Sequence, residues 1–175
     1  MLRRHRLRAL LAVPVSVVRE RTHASRSIRL QVCSQRLPDS GGLGGHCTWA
    51  ELIEMAASGT ISIAAHGFTH TPLDLPDVDL HTEIVVPQTM LSARTGRPIE
   101  SFVLPYGRFT AAVVEHAKRH YRYVFRIGGA DNAGWGGRIL YRVDADEMRS
   151  PGALFAGHRR AAYRLQRYWN AVRAR

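Results

Sequence analysis

Lysine is nearly missing from this 175-residue chain: of its 25 basic residues only Lys118 is not arginine. Nucleic-acid surfaces usually mix the two cations, so this bias reads as GC-rich coding rather than as a binding surface. No helix-turn-helix or RNA-binding signature is present either, and no specific nucleic-acid partner is expected. The net charge of +11 still attracts anionic polymers or lipid, and much of it lies between Arg3 and Arg29 and between Arg159 and Arg175. Cysteine is scarce too. Cys33 and Cys47 flank a Gly-rich loop without a metal-finger pattern, which leaves two free thiols or one pair. Long apolar runs are absent. Ala9 to Val18 follows Arg3, Arg4, His5, Arg6 and Arg8 in the manner of a signal peptide, but it contains Pro14 and leads into Arg19-Glu20-Arg21. It falls short of the ~20 apolar residues that cross a bilayer, so no transmembrane segment is expected and the run reads as a buried strand. Adjacent aspartates are also lacking, and the first aspartate, Asp39, lies in the turn-like stretch Leu37 to Gly42.

What is present reads as one globular α/β domain, with 45% hydrophobic and 22% charged residues. Ser16 to Gly45 reads as loop. Thr48-x-x-Glu51 is a capping box opening a helix that Gly59 ends, with Trp49, Leu52, Ile53 and Ala56 as its buried stripe. Strands are expected over 60–65, 100–104, 121–127 and 138–143. A helix from about Thr82 to Ala93 carries Pro87, which kinks it or marks its true start. Another runs from the Thr110 cap to His120 with Val113, Val114 and Ala117 inward. Ser150-Pro151 opens a final helix whose stripe is Leu154, His158, Ala161, Leu165, Tyr168 or Trp169, and Val172, expected to pack on its own domain. The organisation is therefore a main unit over 1–149 and a basic amphipathic helix over 150–175. Strands alternating with helices predict a mostly parallel sheet.

Two histidines carry the first chemical signal. His66-Gly67-Phe68-Thr69-His70 follows an alternating strand, and Gly67 and Pro72 break that pattern into a loop. In a straight strand, residues i and i+4 lie roughly 13 Å apart, too far to share an ion at ~2.0–2.1 Å per bond. A helical turn closes the gap, and two neutral imidazoles then suit Zn²⁺ or a neighbouring transition metal. The alternative is two hydrogen-bonded surface histidines. His116 and His120 repeat the spacing, but Glu115, Lys118 and Arg119 surround them and mark a solvated face. Asp74, Asp77 and Asp79 read as turn and cap residues.

The second signal is Pro105-Tyr106-Gly107, a rigid aromatic bend at the end of the strand Glu100 to Leu104. In α/β folds the carboxyl ends of strands are where sites form. Together with Thr48-Trp49-Ala50-Glu51-Leu52 and Thr95-Gly96-Arg97-Pro98, this order resembles the polysaccharide deacetylase family, the NodB-homology domains of carbohydrate esterase family 4. The likeness runs from about Thr48 to Asp146.

The resemblance implies a distorted, incomplete (β/α) barrel; the localisation is left open between cytoplasm and cell envelope, in a bacterium. The resemblance also implies a hydrolase of non-peptide carbon–nitrogen bonds that removes N-acetyl groups from amino-sugar polymers or glycoconjugates. His66 and His70 would bind a divalent metal, usually zinc, and the Tyr106 backbone amide would help hold the oxyanion. Pro105, Tyr106, Trp135 and Asp131 would line the site for an N-acetylated carbohydrate. Trp135 and Asp131 read equally well as an anchoring indole and a turn aspartate. The family's Thr-Phe-Asp-Asp segment, source of the base and a third metal ligand, has no counterpart here, nor do the arginine common before the PYG turn or the late Leu-x-His. The expectation is that the chain begins just after the Asp-Asp segment. Asp144 and Asp146 are the in-chain candidates for a substitute carboxylate. Two other functions follow from the same residues: a non-catalytic carbohydrate-binding relic of this fold, and a basic anionic-surface or nucleic-acid binder using the Arg-rich ends.

Overall fold

The computed structural model describes residues 2–21, 47–137, 139–143, 150, 152–153 and 156–173. Five strands form its one described sheet: β1 (Ala9–Val13), β2 (Ile61–Ala65), β3 (Ser101–Val103), β4 (Tyr123–Ile127) and β5 (Leu140–Arg142). Every neighbouring pair is parallel and the strands lie in chain order. A doubly wound sheet reverses its order at a switch point; an unreversed order is that of a (β/α) barrel. The described strands form an incomplete arc of one, as the resemblance implies.

Helices α1 (Trp49–Ala57), α2 (Val86–Thr95) and α3 (Ala111–His120) lie between these strands in sequence. Thr48 starts α1 with the expected reciprocal capping box: its hydroxyl accepts from Glu51 N, and the Glu51 carboxylate accepts from Thr48 N at 2.9 Å. Thr110 Oγ1 accepts from Val113 N and starts α3. Pro87 does not kink a helix. A wide π turn, His81–Val85, precedes α2, and the proline occupies the first turn of α2, where its missing N–H leaves no bond unmade.

Register places Ile63, Ala65, Phe102 and Val124 on one sheet face. They pack with Trp49 and Leu52 of α1, Leu91 of α2, and Val113 and Ala117 of α3 into the core. Ile53 is not in that stripe. It is 41% exposed, and Met55 meets the core in its place, beside Ala56 as expected. The opposite face carries Leu10, Ser62, Ser101, Tyr123 and Phe125, which line a cavity of about 690 Å³ with Trp135 and Arg142.

The final helix, α4 (Gly157–Arg173), reverses an expectation. Its described contacts run through polar groups: Arg167 reaches Asp131 at 3.4 Å, Arg164 reaches it at 4.0 Å, and Asn170, buried, donates to the Gly128 carbonyl. The predicted stripe faces outward instead, with Leu165 60% and Tyr168 70% exposed. The side turned to the domain is the one that carries Asn170 and Arg167. Pro151 and Leu154 lie outside the described residues, as do Cys33, Asp39, Asp144 and Asp146. No helix among the described residues is long and apolar enough to cross a membrane.

Candidate active site

The site grows from the carboxyl ends of β2 and β3. Beyond Ala65 the chain stays tied to the β1 side, with His66 N donating to Val13 O and Val15 N to Gly67 O. It then coils. Gly67 has φ +78° and His70 has φ +66°, and these two left-handed residues turn the segment back on itself. The i,i+4 imidazoles meet as a result: His66 Nε2 lies 3.0 Å from His70 Nε2.

That contact is a hydrogen bond between the two rings, His70 Nε2–H to His66 Nε2, and its length is also near the spacing of two ligands on one ion. Two ligand nitrogens ~2.0–2.1 Å from one metal, at about the tetrahedral angle, stand roughly 3.3 Å apart. The tautomer suits it too. His66 Nδ1–H donates to the Val103 carbonyl at 2.7 Å, which turns the Nε2 lone pair toward His70. The surroundings of both rings favour the neutral form. Burial lowers the proton affinity of His66; the Val103 bond opposes this, and the charges of His70 and Arg142 lower it further. Burial likewise lowers that of His70, partly offset by the Glu83 carboxylate. The donor set therefore fits a borderline divalent metal, but it supplies two ligands. Among the described residues no group of three or more His, Cys, Asp or Glu converges.

The second wall is the Pro105–Gly107 turn after β3. Gly107 N donates to Leu104 O and Arg108 N to Pro105 O, and neither bond uses the Tyr106 N–H. Tyr106 sits at φ +55°, ψ 3°, its ring 4.7 Å from that of His70 and 60% exposed. Pro105 is buried against the coil, its Cγ within 3.3 Å of where a Cβ on Gly67 would stand. Arg108 pairs with Asp74 at 3.0 Å and ties the two loops together. Asp79 caps the π turn, accepting from His81 N and Thr82 Oγ1. Both aspartates thus serve the turns.

Of the other two residues expected to line the sugar site, Asp131 follows the carboxyl end of β4, the sheet end that carries the His pair, and Trp135 does not join it there. Trp135 packs edge-on against Tyr123, the first residue of β4, and lines the 690 Å³ cavity with Arg8, Gly59 and Arg97, which precede strands. That is the amino end of the sheet, opposite the His pair. Asp131 is engaged by α4 as described above. One residue was missed: Glu83, 5% exposed, whose carboxylate receives the Phe68 and Thr69 amides between the two histidines. No spacing in the sequence marks it out from an ordinary helical glutamate.

The sequence profile described as polysaccharide deacetylase matches residues 2–124. The chain belongs to the polysaccharide deacetylase family. No curated protein matches it in sequence. Among solved structures it is similar to the Streptococcus pyogenes deacetylase PplD, with 16% identity and a TM-score of 0.63 over 88% of this chain and 60% of that one. IcaB from Ammonifex degensii gives 18%, 0.60, 93% and 64% in the same order. The Bacillus anthracis protein BA0330 gives 23%, 0.50, 60% and 33%. At these identities the likeness is one of fold, and this chain spans only part of each relative's length.

Proposed function

We propose that this member of the polysaccharide deacetylase family acts as a metal-dependent hydrolase, removing N-acetyl groups from amino-sugar polymers or glycoconjugates. The observation that carries the reading is the His66–His70 pair, two imidazoles with Nε2 atoms 3.0 Å apart beside the Tyr106 turn. His66 and His70 would hold a divalent ion, with zinc the best match to a nitrogen pair. When bound, such an ion polarises a carbonyl and lowers the pKa of water to ~7.

The chain's own residues supply the rest of the site. Val103 fixes the His66 ring, and Pro105 and Gly67 set the distance between the two loops. The Tyr106 N–H, presented by a left-handed turn, serves as a donor to the oxyanion that forms when the amide carbonyl is attacked. A carboxylate must take the proton of the attacking water. Glu83, the carboxylate beside the histidines, is taken up by Phe68 and Thr69, and Asp144 and Asp146, just past β5 in sequence, lie outside the described residues. That shortage favours a second reading, a carbohydrate-binding relic of the same fold.

Acetate release from N-acetylglucosamine oligomers, with Zn²⁺ added and His66→Ala as control, separates the two. Release that depends on His66 supports the hydrolase. Oligomer binding without release supports the relic, and neither result leaves the site without its proposed substrate.

A further inference from the structure

Glu83 is a buried carboxylate with no arginine or lysine paired to it among the described residues. It sits in the π turn ahead of α2 and faces the segment between the two histidines. Its Oε2 accepts from Phe68 N at 2.8 Å, both oxygens lie 3.2 Å from Thr69 N, and its Oε1 accepts from Thr69 Oγ1 at 2.6 Å. The three donors belong to Phe68 and Thr69, inside the four-residue span that must coil. A Cβ on Gly67 would stand 2.8 Å from Oε2, so the carboxylate fills the space that glycine leaves open. A non-glycine residue at φ +66°, as His70 is, persists only where its surroundings over-determine it.

We propose that Glu83 is a positioning residue: its carboxylate holds the His66–His70 loop in the coil that brings the two Nε2 atoms together. A loop held this way keeps one backbone geometry with or without an ion. Without the carboxylate, three donors lose their acceptor and the segment relaxes toward the extended form, in which i and i+4 side chains diverge. Ligand distances tolerate only about ±0.2 Å, so a small slackening unmakes the pair as a binding unit. The effect on the loop stands on the hydrogen bonds alone; the effect on a metal rests on the function proposed above.

Two measurements on the full chain test it, using the parent, Glu83→Gln and Thr69→Val. One is hydrogen exchange of the Phe68 and Thr69 amides without metal; the other is Co²⁺ titration read by visible absorption. Glutamine keeps the shape but turns one acceptor into a donor facing the amides. The expected result in Glu83→Gln is exchange at least about 10-fold faster at both amides and Co²⁺ affinity about 10- to 100-fold weaker, with parent-like far-ultraviolet circular dichroism. Should Glu83→Gln fail to fold, Thr69→Val, which removes the 2.6 Å hydroxyl bond to Glu83 together with the one to Thr71 Oγ1, is expected to speed exchange about fivefold, with Thr71→Val as the control for the second bond. Parent-like protection in the folded variant overturns the proposal. Faster exchange with unchanged Co²⁺ affinity overturns its metal consequence. A parent that binds no Co²⁺ overturns the metal reading instead, and the exchange result then judges Glu83 alone.

Discussion

His70 and Tyr106 stand ring against ring, centroids 4.7 Å apart, and each holds a left-handed backbone, at φ +66° and +55°. They come from different loops, one after β2 and one after β3. Side chains rarely accept this conformation, which costs on the order of 1–2 kcal/mol per residue. Two such residues in contact mark where the fold stores strain, and that place coincides with the His pair.

The Tyr106 backbone yields the first prediction. Its ring is mostly exposed, so replacing it removes little packing. Tyr106→Gly relieves the left-handed cost, whereas Tyr106→Ala keeps it. Urea denaturation should find the glycine variant more stable than the alanine variant by about 1 kcal/mol. The reverse order would show that the turn is not strained.

Gly67 should behave in the opposite way. Gly67→Ala places a Cβ 2.8 Å from Glu83 Oε2 and 3.3 Å from Pro105 Cγ, at a φ of +78°. Both loops must give, and the expected loss of stability is about 1–3 kcal/mol. A denaturation midpoint equal to the parent's would mean the coil is looser than described.

Tyr121 provides a pH test away from the histidines. Its phenol is buried and donates to the Ile84 carbonyl at 2.6 Å. Burial raises its pKa well above the ordinary value, partly offset by the Gln88 backbone. The folded pKa exceeds the unfolded one, so this contribution is complete below about pH 10 and is lost as pH rises beyond it. Tyr121→Phe should cost about 1 kcal/mol at neutral pH, and the gap to the parent should close above about pH 10. Stability curves that stay parallel through that range would contradict the burial of an un-ionised phenol.

The outward stripe of α4 gives a fourth expectation. Leu165→Ser should change stability by less than about 0.5 kcal/mol, because the side chain is 60% exposed. A loss of about 2 kcal/mol or more in thermal or urea unfolding would place Leu165 in a core.

The sequence made some of this legible because the chemistry is local. Gly67 and Pro72 bracket a His spacing that makes sense only if the chain coils, and the Thr48–Glu51 box needs no tertiary partner to be recognised. The Pro105–Gly107 turn is read from residues that restrict their own backbone. Other features depend on distance through the fold. Glu83 looks like any helical glutamate until its neighbour across the loop is known. The loop around Trp135 is long enough to reach either end of the sheet, and only its contact with Tyr123 settles which. The periodicity of α4 shows that the helix has two faces but not which one meets the domain, because its partners, Gly128 and Asp131, are brought to it only by the fold.

The central claim is that His66 and His70 form one divalent-metal site. Calorimetric titration of metal-free protein with Zn²⁺, beside His66→Ala and His70→Ala, addresses it most directly. The account predicts one tight site in the parent that disappears in both variants. Zn²⁺ binding of equal strength in the parent and both variants would contradict it, as would no binding in the parent.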